Sequence, residues 1–153
     1  MLSQPKDYIA LYKGVPDEIS HIIMHYITCL FLSIRKLKLI KYSHAELCLN
    51  GVCYSSSVRD GGVRSKLIDL NSGKWDLVEI NLSEQDKQKA LDRFFSIDGK
   101  SYDFLGAIGV VLPFVNESRD KYFCFEVVAK MLGIQNESHT TPIEIERFNR
   151  EIR

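Results

Sequence analysis

The 153-residue chain lacks an excess of charge of either sign, because 20 lysines and arginines balance 20 aspartates and glutamates. It therefore has no basic field of the kind that binds phosphate backbones, and we expect no nucleic-acid partner. Cysteine is also scarce. The four cysteines are Cys29, Cys48, Cys53 and Cys124, and none forms a CxxC pair. This spacing argues against a disulfide scaffold and a zinc knuckle, and it favours free thiols in a reducing cytoplasm.

Long hydrophobic runs are absent as well. The most apolar run, Ile22–Ile34, is about 13 residues long and contains His25 and Thr28, whereas a membrane-spanning helix needs roughly 20 apolar residues. The first residues, Met1 to Asp7, lack the basic, apolar and small-residue order of a secretory signal. We therefore expect no transmembrane segment, no signal peptide and a cytoplasmic protein.

The sequence contains no internal repeat and no low-complexity tract. Its composition is 45% hydrophobic. A chain of roughly 150 residues buries about 68–70% of its unfolded surface, which is enough for a hydrophobic core. We therefore predict that residues 1–153 form a single domain, while nothing in the sequence indicates its oligomeric state.

Hydrophobic periodicity predicts both strands and helices. Outside the hairpin described next, strands are predicted at Tyr8–Tyr12, Leu67–Leu70 and Trp75–Leu82, with a glycine-rich turn over residues 58–64. Helices are predicted at residues 19–37, from Ser83 to about Ile97, at Cys124–Leu132 with Gly133 as the C-cap, and at Ile143–Phe148, and Tyr102–Leu112 is predicted as a helix or a partly helical segment.

Two alternating runs, His44–Leu49 and Val52–Ser57, flank Asn50-Gly51, which predicts a two-residue hairpin turn. With this turn, one face is apolar and the other is polar. The apolar face carries Ala45, Leu47, Leu49, Val52 and Tyr54, and the polar face carries His44, Glu46, Cys48, Cys53, Ser55 and Ser57. Cys48 then faces Cys53. An exported protein would form a disulfide here, but the expected compartment favours free thiols.

Cys124 begins a predicted helix and shares an apolar stripe with Val127, Val128 and Met131. This position allows two interpretations. A cysteine on such a stripe is commonly a small core hydrophobe. A thiol in the first turn also experiences the positive end of the helix, which favours the thiolate that a nucleophile requires.

His44 differs from the other histidines because it begins a predicted strand among polar neighbours. It is either the base that activates a cysteine or a strand-edge histidine that hydrogen-bonds a serine. His21 and His25 are spaced i, i+4, but no third ligand stands near them in the sequence, and we predict no metal site. His139 lies in a predicted loop.

A cysteine–histidine pair needs a third group that orients the imidazole. Ser55, on the facing strand, is well placed but supplies no charge, whereas Glu46 supplies charge with poorer geometry. We rank Glu46 ahead of Ser55. The Arg59 to Arg64 segment allows two interpretations: it binds an anionic group near the site, or it is a tight turn with solvated arginines.

Several segments, in their order along the chain, resemble one known family. They are Tyr42-Ser43-His44-Ala45-Glu46-Leu47, Ser55 to Arg64, Lys74-Trp75-Asp76-Leu77, Gly99 to Gly106, and Tyr122-Phe123-Cys124-Phe125-Glu126. Together they resemble the YiiX-type group of circularly permuted NlpC-like cysteine hydrolases, particularly its phage and prophage members.

The resemblance implies a permuted papain-like α+β fold, with an antiparallel sheet packed against helices and the cysteine at a helix N-terminus. Cys124 matches the nucleophile and His44 the base. The family's third polar residue falls near Ser55, where related sequences often carry glutamate or histidine. Phe125 stands where the family usually has a small residue, which would narrow the pocket. We expect Ser57, Arg59 and Phe125 to contribute to substrate binding.

The resemblance implies a cysteine hydrolase or acyltransferase that needs no cofactor. It would cleave an amide or ester through a thioester intermediate, in a peptide, peptidoglycan or lipid substrate. The departures at Ser55 and Phe125 motivate an alternative. In that alternative the chain is a degenerate member that binds a peptide, a lipid or a protein without turnover, for example as a phage component.

Overall fold

The computed structural model describes residues 6–14, 42–103 and 120–134. In these ranges the chain is α+β, with a seven-stranded sheet and two helices. The strands are β1 (Asp7–Tyr12), β2 (His44–Leu49), β3 (Val52–Ser57), β4 (Gly62–Lys66), β5 (Trp75–Ile80), β6 (Ser101–Tyr102) and β7 (Lys121–Tyr122). The helices are α1 (Glu84–Phe95) and α2 (Cys124–Leu132).

Some predicted features lie outside the described residues. They are the helices at residues 19–37 and 143–148, residues 104–112 of a third helix, and His21, His25, Cys29 and His139. Tyr102, the first residue of that predicted helix or partly helical segment, lies instead in strand β6 with Ser101.

The strands follow the order β5-β1-β2-β3-β4-β6-β7 in the sheet. Neighbours are antiparallel except β6 and β7, which are parallel, so the sheet is mixed and not antiparallel throughout as predicted. β1 lies between β5 and β2, and Tyr12 is opposite both Trp75 and His44. This register puts two aromatic side chains in the same cross-strand row as His44.

The predicted hairpin is confirmed. Asn50 and Gly51 have φ angles of 51° and 84°. A two-residue turn needs this left-handed conformation so that its twist matches the twist of the two strands. The ladder that follows pairs Leu49 with Val52, Cys48 with Cys53 and Leu47 with Tyr54. The predicted pairs of Glu46 with Ser55 and of His44 with Ser57 lie beyond this ladder.

The strand predicted at Leu67–Leu70 is wrong, because the strand lies earlier, at Gly62–Lys66. Gly62 explains the shift. A Cβ on this residue would collide with the carbonyl oxygen of Lys100, so only glycine allows β4 to approach β6 this closely. The glycine pair therefore begins a strand, and Leu67 is left 80% exposed.

Both helices pack against one face of the sheet, and α2 contacts β2 and β3. The core between them contains Ala45, Leu47 and Leu49 of the predicted apolar face, with Tyr54 packed against it, and the buried stripe of α2; Val52 is only partly buried and lies outside the cluster. The core includes Ile9, Leu11, Ala45, Leu47, Leu49, Phe94, Cys124, Phe125, Val127, Val128 and Met131. Gly133 ends α2 in the left-handed conformation, as predicted, and Arg93 of α1 donates to the Met131 carbonyl at 2.9 Å. These contacts fix α2 on the sheet.

A second apolar cluster contains Ala10, Cys48 and Cys53, against which Tyr8, Ile68, Leu70 and Trp75 pack. The structure joins Cys48 and Cys53 in a disulfide, so the prediction of free thiols is wrong for this pair. The hairpin register places the two residues directly opposite each other, and both are buried.

In the described part of the chain, neither helix combines the length and the apolar character that a membrane crossing requires.

Candidate active site

Cys124 is the first residue of α2, where the sequence predicted a helix to start. The backbone N–H of Phe123, the N-cap, donates to the Glu126 carboxylate at 3.3 Å and helps to fix this first turn. The thiol is free, and the residue is only 4% exposed. The sulfur thus lies at the positive end of a helix, which favours the thiolate, although the residue is largely shielded from water.

His44 lies between Cys124 and Glu46. Its Nε2 is 2.8 Å from Oε1 of Glu46, and the ring lies close enough to Cys124 for the sulfur to act on its pKa. His44 is the first residue of β2 and Cys124 is the first residue of α2, so the contact forms where two elements begin. The predicted pair is therefore brought together, with Glu46 on the imidazole as its carboxylate partner.

The electrostatics of this site favour the imidazolium form of His44. Burial disfavours the charged ring, but the charges of Cys124 and Glu46 and their hydrogen bonds to the ring outweigh burial. They raise the pKa of His44 to about 10. The proton therefore stays on the ring at neutral pH, where an unperturbed histidine would be mostly neutral.

Glu46 is fully buried and makes a second charged contact, with Arg64 of β4. The guanidinium donates to Oε2 at 2.7 Å and to Oε1 at 2.5 Å. Burial alone would raise the pKa of Glu46, but the hydrogen bonds from His44 and Arg64 outweigh it, and the pKa is lowered. The carboxylate thus remains ionised inside the protein.

Arg64 is held in turn by Asp60. Its Nε donates to Oδ2 of Asp60 at 2.7 Å, and Nζ of Lys66 donates to the same oxygen at 2.6 Å. Partial burial works against the charge on Asp60, but these two cations lower its pKa to about 2. A line of alternating charges therefore connects the protein surface to His44.

The other predicted site residues are placed differently. The Ser55 hydroxyl donates to the Ala45 carbonyl at 2.6 Å and is buried, so it binds backbone and not the imidazole. Phe125 is a core residue, because its side chain lies in the main hydrophobic cluster. Ser57 is partly buried, and Arg59 is exposed in the turn between β3 and β4.

Sequence reasoning missed two neighbours of the site. It did not predict Arg64 as the partner of Glu46. Extending the hairpin register to β4 places Arg64 opposite Ser55, which shares the predicted polar face with Glu46. It also gave no role to Tyr102. Burial, with smaller contributions from the charges of Cys124 and Asp103, raises the pKa of Tyr102, so its phenol stays protonated near the sulfur.

Trp75 also lies beside His44, with 6.3 Å between the ring centroids. Trp75 in turn packs edge-on against Tyr12, with 5.0 Å between centroids. Both aromatic residues are partly buried, so they form an apolar wall on one side of the imidazole.

Among the described residues, no set of three histidine, cysteine, aspartate or glutamate side chains is arranged to hold a metal ion. Comparisons of the chain with protein families, with curated proteins and with solved structures find no match.

Proposed function

We propose that the protein is a cysteine hydrolase or acyltransferase that cleaves an amide or ester in a peptide, cell-wall or lipid substrate. Cys124 is the nucleophile, and His44 transfers the proton. The observation that supports this proposal is the position of His44 between the Cys124 sulfur and the buried Glu46 carboxylate. A thiol, an imidazole and an orienting carboxylate are the groups that activate a cysteine for acyl transfer.

The first half of the reaction follows from this arrangement. The imidazole holds the thiol proton before the substrate binds, so His44 is already an imidazolium, and the thiolate of Cys124 attacks the substrate carbonyl carbon. The C–N or C–O bond then breaks, and the His44 imidazolium gives its proton to the departing amine or alcohol. Glu46 stabilises the imidazolium throughout, because its carboxylate accepts from Nε2.

The second half releases the acyl group from the Cys124 thioester. Water loses a proton to His44 and adds to the thioester carbonyl, which yields a carboxylic acid and the free enzyme. In an acyltransferase, an alcohol or amine replaces the water. The Cys124 backbone N–H, which has no partner within its own helix, is a candidate donor to the oxyanion. The protonated Tyr102 phenol is a candidate second donor.

The family assignment belongs to the same proposal. A permuted NlpC-like fold places the histidine strand before the cysteine helix in the chain. The order of β2 and α2 is consistent with this arrangement. The mixed sheet with helices on one face is consistent with α+β hydrolases in general.

A second candidate function is binding without turnover, in which a peptide, lipid or partner protein occupies the site, for example in a phage particle. The observation that favours it is the burial of Cys124, which is 4% exposed, next to Phe125, which is 2% exposed. A sulfur that no substrate carbonyl reaches would retain only a structural role.

Alkylation of the full chain with iodoacetamide at pH 6, followed by peptide mass mapping, distinguishes the two functions. An ordinary thiol, with a pKa of roughly 8.5, is almost entirely protonated at pH 6 and reacts slowly. We therefore expect Cys124, whose thiolate His44 stabilises, to be alkylated faster than Cys29. In His44→Ala we expect this preference to fall at least about tenfold. Equal alkylation of the two cysteines in both proteins would support binding without turnover.

A second measurement tests acyl transfer itself. With p-nitrophenyl acetate, we expect a burst of p-nitrophenol and a peptide with one acetyl group on Cys124, both absent in Cys124→Ala. Fast alkylation without acetylation would contradict the hydrolase.

A further inference from the structure

The Glu46 carboxylate is shared between two charged side chains. Oε1 is within hydrogen-bond distance of both His44 and Arg64, and Oε2 contacts Arg64. Glu46 has 0% and Arg64 14% of its side chain exposed. The carboxylate that orients His44 is therefore itself fixed by a nearly buried guanidinium.

We propose that Arg64 is a positioning residue of this site: it holds Glu46 ionised and oriented toward His44, and Asp60 holds Arg64. This inference rests on the proposed function, because the role of Arg64 is defined by its effect on Cys124. Arg64 itself does not touch the reacting atoms.

The physical reason is the cost of a buried charge. Burial works against the Glu46 carboxylate, so the loss of Arg64, one of its two cationic partners, raises the pKa of Glu46 and favours the neutral acid. A neutral Glu46 no longer stabilises the imidazolium of His44. The ring would then lose its proton at lower pH, and less Cys124 would be thiolate.

The geometry favours arginine over any other cation at this position. The planar guanidinium supplies two parallel N–H groups to Glu46 and still has Nε for Asp60 at 2.7 Å. A lysine ammonium carries the same charge but cannot hold both carboxylates in one plane.

Other ionisable groups also act on this network. Lys66 contacts Asp60 at the surface end, Cys124 of α2 contacts His44, and the charges of Cys124 and Asp103 act on Tyr102. Only Arg64 and His44 contact the Glu46 carboxylate directly among the described residues. A change in the ionisation of Glu46 is therefore expected to follow mainly from Arg64.

The test is the pH dependence of iodoacetamide alkylation at Cys124, from pH 5 to pH 9, in the full chain. In Arg64→Met we expect the midpoint to rise by at least about one pH unit, so that the rate at pH 6 falls about tenfold while the rate at pH 9 is retained. Arg64→Lys should give a smaller rise, and Asp60→Asn one smaller still.

Arg93→Met is the matched control. Arg93 also contacts α2, through the Met131 carbonyl at the far end of the helix, but it does not touch Glu46. We expect a lower unfolding midpoint and an unchanged alkylation profile. If Arg64→Met behaves in the same way as this control, Arg64 is merely structural and the inference is wrong.

Arg64→Lys and Asp60→Asn decide the question if Arg64→Met does not fold, and unchanged profiles in both overturn the inference.

His44→Ala separates the inference from the proposed function. A wild-type profile in His44→Ala overturns both. A shift in His44→Ala without a shift in the Arg64 variants overturns only the inference.

Discussion

The carboxylate of Glu46 has no exposed surface and accepts two hydrogen bonds from the guanidinium of Arg64, at 2.7 and 2.5 Å. Two-point pairing of this kind keeps a buried carboxylate ionised. Because the same carboxylate contacts His44, the charge balance in the protein interior is linked to the protonation of the imidazole next to Cys124.

Glu46→Gln is expected to destabilise the fold by about 3 kcal/mol, because among the described residues it leaves the nearly buried guanidinium of Arg64 with Asp60 as its only carboxylate. Urea unfolding measures this change. Glu79→Gln is the matched control, since the pair of Glu79 with Lys6 is largely exposed. We expect no change in its midpoint. Equal midpoints for the two variants would contradict a stabilising role for the buried pair.

At low pH, protonation of Glu46 should lower the free energy of unfolding. The pKa of Glu46 is lowered below its unfolded value of roughly 4.3, so its contribution is present above that pH. The contribution is lost as the pH falls through the folded pKa. Urea unfolding at a series of pH values should therefore show less acid sensitivity in Glu46→Gln than in the wild type.

The contribution of His44 to stability changes with pH in the opposite direction. Its pKa is raised to about 10, from roughly 6.5 in the unfolded chain. Its contribution is full below about pH 6.5 and is lost as the pH rises through about 10. We expect the fall in stability over that range to be weaker in His44→Ala. If the alkaline slopes of the two proteins match, His44 is not protonated in the folded state.

The Cys48–Cys53 disulfide is expected to stabilise the hairpin. It closes a loop with a sequence separation of 5, and so short a loop contributes about 2 kcal/mol. Urea unfolding with and without reductant measures this difference, with Cys48→Ala/Cys53→Ala as the control that does not respond. Alkylation of all cysteines in unfolded, unreduced protein would show that the bond is absent.

Gly62→Ala is expected to be more destabilising than Gly61→Ala. Both glycines have positive φ, of 82° at Gly61 and 151° at Gly62, but only at Gly62 would a Cβ meet other atoms. Gly61→Ala should cost about 1–2 kcal/mol from backbone conformation. Gly62→Ala adds a clash with Lys100 worth about 1–3 kcal/mol. Thermal unfolding of the two variants compares these costs, and equal midpoints would be inconsistent with the close approach of β4 and β6.

Local signals predicted much of the fold. The Asn50-Gly51 turn with alternating runs on both sides predicted β2 and β3 with the observed bounds. A helix was predicted to begin at Ser83, and the Ser83 hydroxyl caps it by accepting from the Asp86 backbone N–H at 3.1 Å. These features depend on neighbours a few residues away, which a single sequence displays directly.

The errors arose where distant segments meet. The position of β4 depends on the approach of Gly62 to Lys100, 38 residues later in the numbering. Strands β6 and β7 have two residues each, which is too few to show an alternating hydrophobic pattern in the sequence. The disulfide was misjudged because the expected compartment was given more weight than the direct opposition of Cys48 and Cys53.

The sequence by itself determined the hairpin, the start of α2 at Cys124 and the candidate pair of Cys124 and His44, because turn chemistry and helix periodicity are local. Only the tertiary structure decided the third member of the site. Glu46 and Ser55 were both compatible with the strand pattern. Packing turned Ser55 to the Ala45 carbonyl and brought Arg64 from β4 to Glu46. A buried carboxylate needs a cation to remain charged, and only the folded chain places that cation beside it.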